Sequence, residues 1–438
     1  MLKTLRDAFK IKDIRQKLLF TFMMMVVIRF GSQLPVPGVN RNYFANWFAS
    51  QQGNGAFNFF SAFTGGSFEK MSIFALNITP YITSSIIMQL LTIAIPALEE
   101  MQRDGEDGRK KIQNITRFVT VGLAVFESLA MSIGFGRSGL LEKFNFLSII
   151  TVVTALTAGT AFLMWIGERI TEKGVGNGIS IVLVINIISR VPQDIATLIN
   201  QFVRPQTIAK GVLALVIILA IILLTIILCI ILNDAVRKIP VQYAKKMQGR
   251  RLVGGQSSFI PLKVNTAGVI PVIFASSLMS IPQMIMSFTG RSASGVGGAI
   301  LGVLNQNNWF SLVRPAYTIG LVLYLVLIIF FAYFYTSITF NPIEVADNMK
   351  KQGGFIPGIR PGRPTTDYLN KVLNFIIFIG AIGLSIVVVI PIFFNGVFGA
   401  SVSFGGTSLI IIVSVILETI KQIESQMQVR NYKGFLNE

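Results

Sequence analysis

Apolar positions along this chain come in blocks of roughly 20 residues, the length a helix needs to cross a ~30 Å hydrocarbon core. The blocks fall near 18–36, 71–95, 114–134, 147–168, 179–199, 211–232, 266–288, 315–338, 371–394 and 406–424. They predict an all-α polytopic membrane protein with ten transmembrane helices. One stretch breaks the pattern. Phe57 to Phe63 is apolar but ends at Gly65-Gly66, and at ~1.5 Å per residue it covers well under half of the core. It is expected to re-enter or cap something as a short helix. The next block contains Pro80 and sets Ile78, Ile82 and Ile86 at four-residue spacing, one face of a helix. Thr79, Thr83, Ser84 and Gln89 fall on another face.

Residues 1–17 are basic, with Leu2, Leu5, Ala8 and Phe9 on one helical face; they predict an amphipathic helix on an anionic membrane surface. Arg29 closes the first apolar run and no small-residue cleavage site follows, so this run reads as a retained span and not a signal peptide. The N-terminus, the loops 97–113, 167–178, 233–265 and 339–371 and the C-terminal tail hold about three times the Lys and Arg of the opposite set. That bias predicts cytoplasmic termini. The external loop 200–210 divides the spans five and five, giving halves 1–200 and 201–438. An odd number per half makes the repeat inverted if the halves are related. Pro80 and the pair Pro271 and Pro282 occupy partner spans in the two halves. Such partners tend to flank a functional pathway, although proline is common in membrane helices generally.

Composition narrows the chemistry. Hydrophobic residues make up 52% of the chain and charged ones 13%, which excludes a soluble domain. A net charge of +18 suggests nucleic acid until its distribution is mapped. Most of it sets orientation, leaving ribosomal RNA against one loop as the open alternative. Histidine is absent, which removes His-based acid–base catalysis and metal ligation. The single cysteine, Cys229, lies in an aliphatic run and reads as a small buried hydrophobe. GVGNG at 174–178 follows a span and lacks a phosphate-loop lysine, so a tight turn explains it better than a nucleotide site. Glu168 and Glu418 lie near span ends, whereas Glu127 sits within span 3.

The loop 233–265 carries Val-Gln-Tyr and Arg-Leu-Val around Gln248-Gly249, a candidate protruding hairpin. The loop 339–371 holds Arg360 and Arg363 among glycines and prolines, which stiffen a turn. Both are long for loops that only set orientation, and a cytosolic partner with acidic or phosphate groups is the alternative reading. The midplane is aliphatic: Ile179, Leu183, Val269, Ile273 and Ile411 join Ile78 and Ile82. A ring of such side chains blocks ions by dewetting, while ordinary helix packing produces the same pattern. A secondary transporter of a small solute, the competing class, needs polar groups at that depth.

Several long motifs decide between these readings. SIFALNITPYITSSIIMQLL, FLMWIGERITEKGVGNGISI, YAKKMQGRRLVGGQSSFIPLKVNTAGVIPVIFASS, FNPIEVADNMKKQGGFIPGIRPG and FGGTSLIIIVSVI resemble the SecY family over essentially the whole chain. That family is the channel subunit of the bacterial Sec protein translocase. The resemblance implies a passive protein-conducting channel and not an enzyme, with no cofactor or metal. Its pore ring would be Ile78, Ile82, Ile179, Leu183, Ile273 and Ile411, with Leu183 where isoleucine is common. A plug would run through Phe57, Asn58, Phe59, Phe60, Ser61, Ala62, Phe63, Thr64, Gly65, Gly66 and Ser67. Spans 2 and 3 facing 7 and 8 would form a lateral gate, with Gln89 and Asn265 as its polar residues. Arg360, Arg250 and Arg251 match basic loop residues that meet SecA and the ribosome. The implied partners are SecE, SecG, SecA, the ribosome, signal-sequence-bearing polypeptides and membrane lipids, with no DNA. The implied location is a bacterial plasma membrane. Glu127 departs from the neutral residue expected in the family and receives no role from it.

Overall fold

Among the described residues fifteen α-helices predominate: α1 (Leu2–Lys10), α2 (Lys12–Gly31), α3 (Arg41–Ser50), α4 (Thr79–Ala94), α5 (Pro96–Arg103), α6 (Glu106–Phe135), α7 (Phe146–Lys173), α8 (Gly178–Leu198), α9 (Ile208–Asp234), α10 (Ile270–Thr289), α11 (Val296–Leu304), α12 (Thr318–Thr339), α13 (Pro342–Lys351), α14 (Arg363–Phe398) and α15 (Gly406–Phe435). The structure is a computed structural model that describes residues 2–50, 63–204, 208–243, 246–248, 251–253, 257–289, 296–310, 315–398 and 406–435.

Among the described residues, α6, α7, α8, α9, α12 and α14 are long and apolar enough to cross a membrane, and α4 with α5, bent by 106°, adds a seventh candidate. The other predicted spans are also helical but fall short of that standard. α2 carries Arg15, Lys17 and Arg29 beside its apolar middle. The apolar part of α10 is short, at Ile270–Gln283. α15 turns polar from Glu418 onward.

The block 71–95 is not one helix. Residues 65–78 form successive turns, and the helix begins only at Thr79, with Pro80 in its first turn. Proline lacks an N–H and is pre-set for that position. Pro80 therefore opens α4 instead of interrupting it. Ile78 is the residue before the helix, at φ −97°, so it does not share a continuous helical face with Ile82.

The expectation of an all-α chain also needs correction. The fold is mostly helical with a three-stranded and a two-stranded sheet among the described residues, built from β1 (Val236–Tyr243), β2 (Lys246–Gln248), β3 (Arg251–Val253), β4 (Ser257–Lys263) and β5 (Gly354–Phe355). β1 pairs antiparallel with β4, from Val236 opposite Lys263 to Gln242 opposite Ser257. β5 covers the other edge of β1, and β2–β3 form the small hairpin around 249–250. The three-stranded sheet thus joins the two long loops into one platform over Ile239, Val241, Leu262, Ala346, Met349 and Ile356. At the N-terminus, Ala8 of α1 is buried with Ile14, Val175 and Ile423. This part of the amphipathic face covers protein, while Phe9 stays exposed.

The helices associate in two sets with the same internal pattern. In the first, α2 touches α7 and α8, α4 touches α6, and α7 touches α6 and α8. In the second, α9 touches α14 and α15, α10 touches α12, and α14 touches α12 and α15. The sets meet along α8 with α15 and along α6 with α10. Close approach needs small residues. A Cβ on Gly178 would run into the Gly167 carbonyl, whereas Gly122 faces open space. Gly178→Ala should cost about 1–3 kcal/mol from overpacking, and Gly122→Ala nearly nothing. Cys229, the sole cysteine and buried, reports the difference. A thiol-reactive dye should label Gly178→Ala at a lower temperature than the parent.

Candidate functional site

Four helices converge through their first two turns. Ile78 precedes α4 and Ile82 lies in its first turn; Ile179 and Leu183 are one turn apart at the start of α8. Ile273 lies in the first turn of α10 and Ile411 in the second turn of α15. Because α8 touches α15, these short aliphatic faces meet. Ile78, Leu183, Ile273 and Ile411 are buried in one apolar cluster, and Ile82 and Ile179 pack against it. Ile82, Ile179, Leu183, Ile273 and Ile411 also line a cavity of about 560 Å³ whose wall includes Gln89, Gln113, Arg117, Glu168 and Glu172. Arg117 of α6 pairs with Glu168 of α7 at 2.6 Å. Asn177 caps α8 by accepting from the Ile179 and Ser180 N–H groups, so the GVGNG turn fixes where that helix starts. The cavity thus brings the aliphatic side chains together with a smaller set of polar and charged groups.

Phe63 is buried in the same cluster. The segment behind it is held by polar bonds that sequence reasoning missed. Asn77 donates to the Phe63 carbonyl at 2.6 Å, and Asn186 of α8 donates to the Asn77 side-chain oxygen at 3.1 Å. Asn77 has φ +53°, a conformation that asparagine tolerates better than most residues. Gly65, at φ +61°, lies so close to α8 that a Cβ would stand 2.5 Å from the Asn186 carbonyl. Arg190, on the same helix as Asn186, pairs with Glu69 at 3.1 Å and with Asp194 at 3.7 Å. The available signal was polar and charged residues inside an apolar run, at Asn186, Arg190 and Asp194. Thr64 and Ser67 are buried here and Gly66 is partly buried. Phe57, Asn58, Phe59, Phe60, Ser61 and Ala62 lie outside the described residues.

Hydroxyl groups tie neighbouring helices into pairs. Ser84 of α4 donates to the Thr116 carbonyl at 2.8 Å, and Thr120 of α6 donates to Ser84 at 3.0 Å. Ser276 of α10 and Tyr324 of α12 share a 2.8 Å bond. Between the two pairs lies a second cavity of about 860 Å³, lined mainly by apolar side chains such as Ile86, Leu90, Phe126 and Ile281. Gln89 lines the first cavity. Asn265 is elsewhere: it donates to Asn233, which in turn donates to Ser414, all within the second helix set.

On the platform, Arg360 is exposed between Gly358 at φ +83° and Gly362 at φ +104°. Its carbonyl accepts from Thr365 at 2.8 Å, which fixes the turn. Arg251 opens β3 opposite Gln248, and Arg250 lies outside the described residues. Among the described residues, no group of acidic residues and cysteine is arranged to hold a metal ion.

Comparison with known proteins places this geometry. The family model described as SecY matches residues 72–420. The protein translocase subunit SecY of Streptomyces scabiei is 45% identical, with 100% of both chains covered. That of Halalkalibacterium halodurans is 42% identical, again with 100% of both covered. Among solved structures, a protein-conducting channel superposes with a TM-score of 0.64 at 17% identity, covering 94% of this chain and 92% of that one. Sec61 from a canine ribosome–channel complex of the endoplasmic reticulum gives 0.63 at 16% identity, over the same shares. Those two likenesses concern the fold. Taken with the family match and the full-length relatives, they lead to one conclusion: the chain belongs to the SecY family.

Proposed function

We propose that the chain is a passive protein-conducting channel and not an enzyme, moving unfolded secretory polypeptides across a bacterial plasma membrane and releasing membrane segments sideways into lipid. The observation that carries this reading is the aliphatic cluster that gathers one or two residues from each of four helices beside a cavity that also carries polar and charged groups. Ile78, Ile82, Ile179, Leu183, Ile273 and Ile411 form the ring in this reading. An empty ring of this kind excludes water and ions by dewetting. It has no directional bonds to break when a chain passes.

The same reading takes the chain as ten spans in two inverted five-helix halves, 1–200 and 201–438, with both termini cytoplasmic. The recurring helix pairings support it, as does the charge bias of the loops. Residues 57–67 act as the plug, and the Phe63–Asn77–Asn186 bonds hold its base. The seam between α4–α6 and α10–α12 is the lateral gate; of its expected polar residues, Gln89 of α4 faces the neighbouring cavity and Asn265, just ahead of α10, is bonded to Asn233. SecE and SecG complete the complex, and SecA or the ribosome drives the chain from the platform bearing Arg250, Arg251 and Arg360. A signal sequence favours the open state by binding the gate, a population shift.

Photo-crosslinkers at Ile82 and Ile273 should capture a stalled secretory chain in membranes containing SecE and SecA, and only while that chain is translocating. If export proceeds without a crosslink from either position, the ring assignment is wrong. Arg360→Glu should abolish SecA-driven export while thermal labelling of Cys229 stays as in the parent; normal export by that variant removes the loop from the motor contact. Replacing Asn186 with Leu leaves buried polar groups on Asn77 without their partner, at a cost of about 1–3 kcal/mol. Proteoliposomes carrying Asn186→Leu should leak ions at rest more than the parent, and an unchanged resting conductance counts against the plug anchor.

A further inference from the structure

The larger cavity, between α4–α6 and α10–α12, contains one charged residue. Glu127 lines it together with Leu123, Ala130 and Gly134, residues that repeat on one face of α6. The adjacent Ser128 points the other way, 3.5 Å from Thr157 of α7. No basic residue lines the cavity; its other polar members are Thr79, Thr83 and Ser277. Thr83 donates to the Thr79 carbonyl of its own helix. The nearest arginine along α6, Arg117, lies ten residues away, ~15 Å of helix, and is paired with Glu168. Among the described residues nothing pairs with the Glu127 carboxylate.

A lone carboxylate at membrane depth is costly, and a cation in the same cleft offsets that cost most directly. The cavity is otherwise apolar and opens at the seam between the helix pairs. An apolar segment carrying one basic side chain complements it in both shape and charge. We propose that Glu127 makes this cleft selective for cationic cargo. A departing membrane segment with a Lys or Arg at this depth sets its ammonium or guanidinium against the Glu127 carboxylate, whereas an acidic residue at the same depth is repelled. The inference rests on the lateral-gate reading above and deepens it, by naming the cargo class this gate favours.

The test uses membrane vesicles with the full-length chain as the sole channel and a set of reporter segments. The segments are identical except for Lys, Gln or Glu at one position near the level of Glu127. The readout is the ratio of integrated Lys to Gln segments, so differences in overall yield cancel. The parent channel should favour Lys. Glu127→Gln should reduce the ratio about fivefold, the scale of one partly shielded charge pair. Glu127→Lys should invert the preference towards the Glu segment, and Cys229 labelling confirms that both variants are folded.

A Lys-to-Gln ratio that is the same in all three channels overturns the proposal. So does a Lys preference that is absent in vesicles containing phosphatidylethanolamine and appears only when that lipid is removed, because the carboxylate is then held by a lipid amine and not by the cargo. If the parent channel integrates no segment of any kind, the lateral-gate reading itself fails. That result is distinct from loss of selectivity alone.

Discussion

Irregular backbone can sit at membrane depth only where protein surrounds it, because no water is present to satisfy its N–H and C=O groups. Residues 65–78 are such a stretch, enclosed by the loop after α2 and by α7 and α8. Their own turns supply part of the bonding, with Ser67 donating to Thr64, Met71 to Phe68 and Ala75 to Ser72. The loop after α2 supplies more: Val36 donates to the Met71 carbonyl, and Ile73 donates to that of Leu34. Gly159 of α7 lets the Ile73 carbonyl approach where a Cβ has no room. α8 closes the remaining side through Asn186 and Arg190. The helices that enclose this stretch include α8, which also supplies two members of the aliphatic ring.

Polar bonds and apolar contacts are divided between different tasks. Bonds with fixed geometry sit at the edge of the site: Asn77 with Asn186, Arg190 with Glu69, Ser84 with Thr120, and Ser276 with Tyr324. The hydroxyl bonds run within the pairs α4–α6 and α10–α12, which favours movement of each pair as a unit. The centre is aliphatic, and its contacts are individually weak and non-directional. A constriction built this way closes around nothing or around a chain of any sequence. A polar ring would impose hydrogen-bond preferences on its cargo.

Hydropathy made the helical architecture legible, since a span must be apolar along its whole length. It failed where length and backbone geometry diverge. Residues 71–78 are as apolar as a helix, and nothing in their hydrophobicity distinguishes a buried turn from a helical turn. The signals were Gly65, Gly66 and Asn77, which adopt positive φ, and Pro80, better suited to a helix start than to its middle. The sheet was half-visible. The Val-Gln-Tyr and Arg-Leu-Val stretches pointed to a hairpin around Gln248-Gly249, but Arg251–Val253 pairs with Lys246–Gln248, and Val241–Tyr243 belongs to β1. β5 lies about a hundred residues downstream, and no local pattern reports a pairing that distant. The Asn77–Asn186 bond was hidden for the same reason.

The distant pairing also links the two long loops mechanically. β1 leaves α9 through Ala235, and β4 returns towards α10 through Val264, whose N–H donates to the Ala235 carbonyl at 2.9 Å. β5 adds the Arg360 loop to the outer edge of β1 at Gln242 and Tyr243. A hydrogen-bonded path therefore runs from the exposed Arg360 turn through β5 and β1 to the bases of α9 and α10. α10 carries Ile273 of the ring and Ser276 of the α10–α12 pair. The sheet thus links the Arg360 turn to a helix that contributes to both the aliphatic cluster and the α10–α12 pair. Under the reading proposed above, a driving partner docked at the Arg360 turn needs no contact with the Ile273 cluster, because the sheet connects that turn to α10.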